Sequence, residues 1–188
     1  MNLRLISYSK APDGVQLENC QELVAYCARV SNPSNQMNAE TSAKLIKYLI
    51  KHKHWSPLEM VNACLEIETT RDIAHQIVRH RSFAFQEFSH RYAKPEDMGD
   101  ARVLRDARFQ DTKNRQNSIA LDRNDEQQRR LNEDFRMKQA NIYNQAQEVY
   151  NWAINNGIAK EQARVVLPEG NTKTRLYMNG SLRSWVHY

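Results

Sequence analysis

The sequence predicts an α+β fold: a single domain over residues 1–188, with a small antiparallel or mixed sheet flanked by helices, one of them long. Stretches with the two-residue period of a strand occur near both ends and in the middle of the chain. Stretches with the 3.6-residue period of a helix lie between them. At 188 residues and 22.0 kDa the chain is long enough for one well-cored domain and short for two. No internal repeat and no linker divides it.

"LRLISYS" (3–9) reads as a first strand, and "LENCQELVAYCARVS" (17–31) as an amphipathic helix that Asn32–Pro33 breaks. In "NAETSAKLIKYLIKH" (38–52) the apolar Leu45, Ile46, Leu49 and Ile50 again give a helix. "EMVNACLEIETT" (59–70) alternates as a strand, with Val61, Ala63, Leu65 and Ile67 on one side. "RDIAHQIVRH" (71–80) follows as a short helix. Residues 93–121 are polar and non-periodic, and are expected as a long loop or insertion. A long helix should then run from about 122 to 156, with Leu131, Phe135, Ile142, Ala146, Val149 and Ala153 as its core stripe and Gly157 at its C-terminal end. "TKTRLYMN" (172–179) as a strand and "SLRSWVHY" (181–188) as a helix close the chain.

The bulk composition excludes several classes. No apolar run approaches the roughly 20 residues of a membrane span, and "MNLRLISYSK" is too short and polar for a signal peptide, so a cytoplasmic, membrane-free protein is expected. Cys20, Cys27 and Cys64 match no metal or redox spacing and are expected as reduced thiols. With five glycines in the chain there is neither a GxGxxG fingerprint nor a GxxxxGK[ST] loop. Any nucleotide must therefore be held mainly by side chains. His52 and His54 lack a convincing third ligand, so no metal is expected. A net charge of +5 and a pI near 9.2 weakly favour phosphorylated or polyanionic partners.

The chemistry concentrates in "QIVRHRSFAFQEFSHRY" (76–92). On a helical wheel Asp72, His75, Gln76, Arg79 and His80 share one side, and Ile73, Ala74, Ile77 and Val78 the other. Arg81 would fall amid the apolar side, so the helix should end near His80. Basic residues are favoured at such an exit by the helix dipole, which explains "RHR" without any ligand. Beyond the exit, an extended chain would point Phe83, Phe85, Glu87, Ser89 and Arg91 one way. That row offers aromatic surface, a carboxylate acceptor, a hydroxyl and a guanidinium, with Gln76 as a further paired donor and acceptor, which is an inventory for one nucleoside monophosphate. Periodicity alone leaves these readings near even.

The string R-H-R (79–81), seven residues, Ser89, one residue and Arg91–Tyr92 resembles the signature of the flavin-dependent thymidylate synthases, the ThyX family. "ARVS" (28–31), "HWSPLE" (54–59), "KNRQ" (113–116), "ARVVLP" (163–168) and "SLRSWVHY" (181–188) resemble family blocks in the family's order, so the resemblance covers nearly the whole chain. It implies a flavin-dependent enzyme, a methyltransferase and oxidoreductase that converts dUMP to dTMP. Methylenetetrahydrofolate would be the carbon donor and FAD, reduced by NADPH, the hydride carrier, in a homotetramer whose sites lie between subunits.

By the same resemblance Gln76, Arg79, Glu87, Ser89, His90 (through the backbone around it), Arg91 and Arg164 would hold dUMP. Ser31, His54, Ser56, Glu59, Arg79, His80, Arg81, Gln86, Glu87, Ser181, Arg183 and His187 would hold or approach FAD. Arg79 and Ser89 would act on the substrate, Ser89 by orienting and polarising it rather than as a nucleophile, since no adjacent base supports it. None of the three cysteines has an activating setting, which fits a mechanism without a cysteine nucleophile.

Three positions depart from the family pattern. His90 replaces a commonly small residue, Ser181 stands where many members have Asn, and Met60 where a second histidine is frequent. Family members also continue past the block ending at Tyr188 and carry a further arginine there, so a chain ending at Tyr188 is expected to keep binding better than full turnover. The competing reading is a single-strand nucleic-acid-binding module built on the Arg and aromatic side chains of 79–92. Glu87 in mid-cluster counts against it, because a carboxylate repels a phosphate backbone.

Overall fold

The computed structural model describes residues 1–188. In chain order the elements are β1 (Asn2–Tyr8), α1 (Cys20–Ala28), α2 (Ser42–Lys51), β2 (Asn62–Thr70), α3 (Arg71–Ile77) and β3 (Ala84–Glu87). They continue as β4 (Arg108–Gln110), β5 (Ser118–Ala120), α4 (Glu126–Asn155), α5 (Lys160–Ala163), β6 (Lys173–Ser181) and α6 (Leu182–His187). The fold is α+β, as expected. A four-stranded sheet has the order β1-β2-β6-β3, antiparallel where β1 meets β2 and where β3 meets β6; β4 and β5 form a separate two-stranded antiparallel ribbon. No helix is long and apolar enough to cross a membrane.

Packing divides the chain into two compact units. Met1–Glu68, Gln76–Glu87 and Arg175–Tyr188 form the first, Thr69–His75 and Phe88–Thr174 the second.

In the first unit α1, α2 and a 3₁₀ turn at Ser56–Met60 bury Val24, Leu49, Leu58 and Val61 together, with Leu182 of α6 against them. α1 starts at Cys20, later than its hydrophobic pattern suggests. The Asn19 side chain accepts from Gln21 N at 3.0 Å and Glu22 N at 3.1 Å, while Glu22 reaches back to Glu18 N at 2.7 Å. The cap satisfies donors that would otherwise be orphaned, and so sets the start. On the sheet, Arg4 pairs with Glu66 at 3.0 Å, and the Tyr177 hydroxyl donates to Glu66 at 3.0 Å.

In the second unit α4 packs with α5, and Tyr150, Ala153, Ala163 and Leu167 make the core. Asp125 caps α4 by accepting from Gln127 N at 2.8 Å and Gln128 N at 3.2 Å. Of the expected core stripe Ala153 is buried and Ala146 partly so, but the rest is not. Leu131, Phe135, Ile142 and Val149 are all exposed, with Ile142 at 58%, whereas Gln139, Tyr143, Tyr150 and Ala153 are buried. At about 100° per residue the two faces are offset by roughly a quarter turn. Hydrogen bonding sets the difference. Gln139 accepts from Arg105 N at 3.0 Å and donates to Arg105 O at 2.8 Å, and Asn132 accepts from Ala107 N at 2.7 Å. These amides complete the backbone of an extended segment that has no strand partner there, so the polar face turns inward. The polar stretch 93–121 is also more ordered than a loop, since it contains the β4–β5 ribbon.

Candidate active site

In the first unit four of the sequence-predicted residues, Glu59, Ser181, Arg183 and His187, gather at α6. Ser181 is the N-cap of α6: its Oγ accepts from Ser184 N at 3.2 Å and donates to Glu59 Oε2 at 2.6 Å. Arg183 Nη1 donates to the other carboxylate oxygen at 2.7 Å. The Ser181 hydrogen bond, followed by that of Arg183, holds the Glu59 carboxyl below the ordinary carboxylate range, and the charge of nearby His187 adds to this. His187 in turn meets Trp55 edge-on, with ring centroids 4.5 Å apart. Thus Glu59, Ser181 and Arg183 are bonded directly, and His187 stands beside them.

A cluster of aromatic rings packed at steep mutual angles adjoins the R-H-R segment. His80 lies 5.7 Å from Phe83 and 4.9 Å from Tyr188, and Phe83 lies 4.7 Å from Trp185. Gly180 makes this packing possible, because a Cβ there would sit 2.4 Å from the Phe83 ring. Trp185 is pinned by its indole N–H to Ala63 O at 3.1 Å. α3 ends at Ile77, three residues before the expected exit, and hydrogen-bonded turns carry the chain through His80. Arg79, His80 and Arg81 are exposed; Arg79 donates to Gln76 at 3.1 Å, and neither Arg79 nor Arg81 forms an ion pair. Gln86 and Glu87 lie on β3, opposite Tyr177 and Leu176. Ser31, His54 and Ser56 are exposed: Ser31 just beyond α1, His54 beside Tyr48 at 6.1 Å, and Ser56 at the start of the 3₁₀ turn. None of these last three is bonded to the Glu59 cluster.

The second unit holds Ser89, His90, Arg91 and Arg164. The expected extended row stops at Glu87, where β3 ends. Ser89 O then accepts from Tyr92 N at 3.1 Å and Ala93 N at 3.0 Å, and Ser89 Oγ from Arg91 N at 3.4 Å. A turn therefore replaces the alternation, because the serine side chain offers the backbone a competing partner. His90 is buried at 3% exposure, beside Phe88; neither ring nitrogen forms a hydrogen bond of good geometry, and the Lys173 backbone is its polar contact. Burial first, then the positive charges of Arg71 and Arg164, push its pKa down to about 4, so the ring is neutral at physiological pH. Arg91 pairs with Glu161 at 3.2 Å, and Arg71 with Glu169 at 3.5 Å.

Sequence reasoning missed Trp55, Trp185 and Tyr188 as neighbours of site residues, and Arg71, Glu161 and Glu169 around the 89–92 turn. The i, i+3 spacing of Trp185 and Tyr188 on a terminal helix was a usable signal. Nothing in sequence pairs Glu161 with Arg91.

A family model described as thymidylate synthase complementing protein matches residues 5–188. The probable flavin-dependent thymidylate synthase of Paramecium bursaria Chlorella virus 1 is 47% identical over 188 residues, spanning 100% of this chain and 82% of that protein. The flavin-dependent thymidylate synthase of Synechocystis sp. is 49% identical over 191 residues, spanning 100% of this chain and 83% of its own. Among solved structures, the UMP/dUMP methylase PolB from Streptomyces cacaoi, bound with 5-Br dUMP, superposes with a TM-score of 0.75 at 25% identity, covering 99% of this chain and 75% of its own. These relatives are enzymes, and the nucleic-acid reading of 79–92 gains no support from them.

Proposed function

The chain belongs to the flavin-dependent thymidylate synthases, and from that premise we propose how its residues carry out the methylation of dUMP to dTMP with FAD. Methylenetetrahydrofolate is the carbon donor in this proposal, and NADPH the source of electrons. FAD, when bound, supplies the reduction that converts the transferred carbon to a methyl group. The residues present fit such a cofactor. A flat ring system can meet the exposed rings of His80 and Tyr188, which Phe83 supports from within, and its phosphates suit the exposed donors Ser56 and Arg81. The observation that carries this reading is that Arg79 and Arg81, flanking His80 of the aromatic cluster, are exposed with no carboxylate paired to either. A cationic aromatic surface of this kind favours an anionic, planar ligand.

Within the first unit Glu59 holds Arg183 and Ser181 in place, so their geometry is set before the cofactor arrives. Ser31, His54, Gln86, Glu87 and His187 complete the FAD contacts in this proposal. Gln76, Arg79 and Glu87 are the first unit's nucleotide contacts. In the second unit Ser89 and the backbone at His90 orient the nucleotide, while Arg91 and Arg164 take its phosphate. No cysteine nucleophile is used. All three thiols are free, and that of Cys20 is engaged with Ser9 O at 3.3 Å.

The apolar stripe exposed on α4 and the edge strand β1, exposed along its whole length, support assembly as a homotetramer with sites at subunit interfaces. The cytoplasm is the compartment proposed. The test is NADPH-dependent dTMP formation by the purified chain with added FAD, preceded by titration with FAD read near the flavin absorbance band at roughly 450 nm. Protein that stays colourless and ignores both FAD and dUMP overturns the reading.

A further inference from the structure

Within the second unit, two side chains of α5 reach the turn that follows β3. Lys160 Nζ donates to Tyr92 O at 2.8 Å, and Glu161 Oε1 lies 3.2 Å from Arg91 Nε. The backbone carbonyl of Glu161 also accepts from Arg164 Nε at 3.3 Å. One residue thus engages both arginines that the proposed function assigns to the nucleotide phosphate. The contact engages Nε of Arg91, one of the nitrogens a phosphate would take.

Donors outnumber acceptors around this turn. Arg71, Arg91, Arg164 and Lys160 face two carboxylates, Glu161 and Glu169, each with a side chain 49% exposed. The buried His90 ring feels the charge of both Arg71 and Arg164, and its polar contact is to the backbone of Lys173. With more cationic donors than carboxylates, the turn has capacity for a further acceptor-rich group. A half-exposed carboxylate–guanidinium pair is weak and screened by solvent. A phosphate dianion can instead take two parallel bonds from a guanidinium fork.

We propose that Glu161 is a positioning residue for nucleotide capture: its carboxylate holds Arg91 in the ligand-free protein and is displaced by the phosphate of an incoming nucleoside monophosphate. The proposal rests on the reading that Arg91 binds that phosphate. Glu161 keeps a long, flexible side chain ordered toward α5, and it opposes any ligand too weakly charged to replace it. Its removal relieves both the competition and the repulsion, so nucleotide affinity rises. A purely structural residue would not give that sign.

The experiment is calorimetric titration of dUMP and of deoxyuridine into the FAD-loaded protein, for the wild type, Glu161→Gln, Glu161→Ala and Arg91→Ala. Both Glu161 variants are expected to bind dUMP about three- to fivefold more tightly, the range a half-exposed ion pair allows, with deoxyuridine unaffected. Arg91→Ala is expected to weaken dUMP. Unchanged or weaker dUMP binding in both Glu161 variants, with Arg91→Ala still impaired, overturns the role of Glu161 and leaves the phosphate reading standing. Wild-type affinity for dUMP in Arg91→Ala overturns both.

Discussion

The start of α6 and the turn after β3 treat charge in opposite ways. In the first unit a carboxylate, Glu59, is met by a hydroxyl and a guanidinium, so every strong group has its partner. In the second unit a neutral imidazole, His90, is buried in the field of two guanidinium groups and lacks a hydrogen bond of good geometry, with the Lys173 backbone as its polar contact. The first arrangement is complete before any ligand arrives and serves to aim Arg183. The second is incomplete, and its cations are lent to exposed carboxylates. A site that is already satisfied contributes rigidity, whereas one left short of acceptors contributes affinity for an anion.

Four measurements can break or sharpen that contrast. The largest effect is expected for Arg81→Ala, which removes an unpaired guanidinium from the aromatic surface. FAD affinity should fall about ten- to a hundredfold, as for loss of a hydrogen bond to a charged group, and the purified variant should lose its flavin absorbance. Gly180→Ala comes next, because the added methyl meets the Phe83 ring at 2.4 Å. Overpacking of this kind costs about 1–3 kcal/mol, seen as a lowered melting temperature by calorimetry. A melting temperature equal to wild type would show that the Phe83 ring yields easily.

Smaller effects depend on pH. The Glu59 pKa is lowered, so its stabilising contribution is full above its ordinary value of 4.5 and is lost as pH falls through the folded value. Glu59→Gln should therefore flatten the acid side of the melting-temperature profile below pH 4.5. An unchanged profile would mean that the Ser181–Glu59–Arg183 link does not persist in solution. For His90 the window differs. Its folded pKa of about 4 lies below the ordinary 6.5, so the unfolded chain binds more protons between those values and stability falls as pH drops from 6.5 towards 4. His90→Gln should remove that part of the slope, and a slope that survives would place it on another group.

The contrast also shows what could be read from sequence. The α+β class, the strand at 62–70 and the long helix were legible because each depends on local period and capping, whereas the helix before R-H-R ends three residues early. Glu59, Ser181, Arg183 and His187 were named through the family blocks, and the structure draws them together. The buried face of α4 was not legible. Its apolar residues follow a clear stripe, yet the inward face is chosen by Gln139 and Asn132 serving a distant backbone. The turn at 89–92 was missed for a related reason: an alternating pattern cannot show that Ser89 closes hydrogen bonds to the residues just after it. Polar side chains that complete someone else's backbone leave no periodic trace.

The outward stripe of α4 also bears on how the protein behaves at different concentrations. Leu131, Phe135, Ile142, Val149 and Trp152, the last 60% exposed, line one side of a 30-residue helix. In the homotetramer proposed above, covering such a side by another copy would link folding to association through mass action. The melting temperature then becomes a property of the solution as well as of the chain, rising as the protein is concentrated, and dilution alone becomes a denaturant.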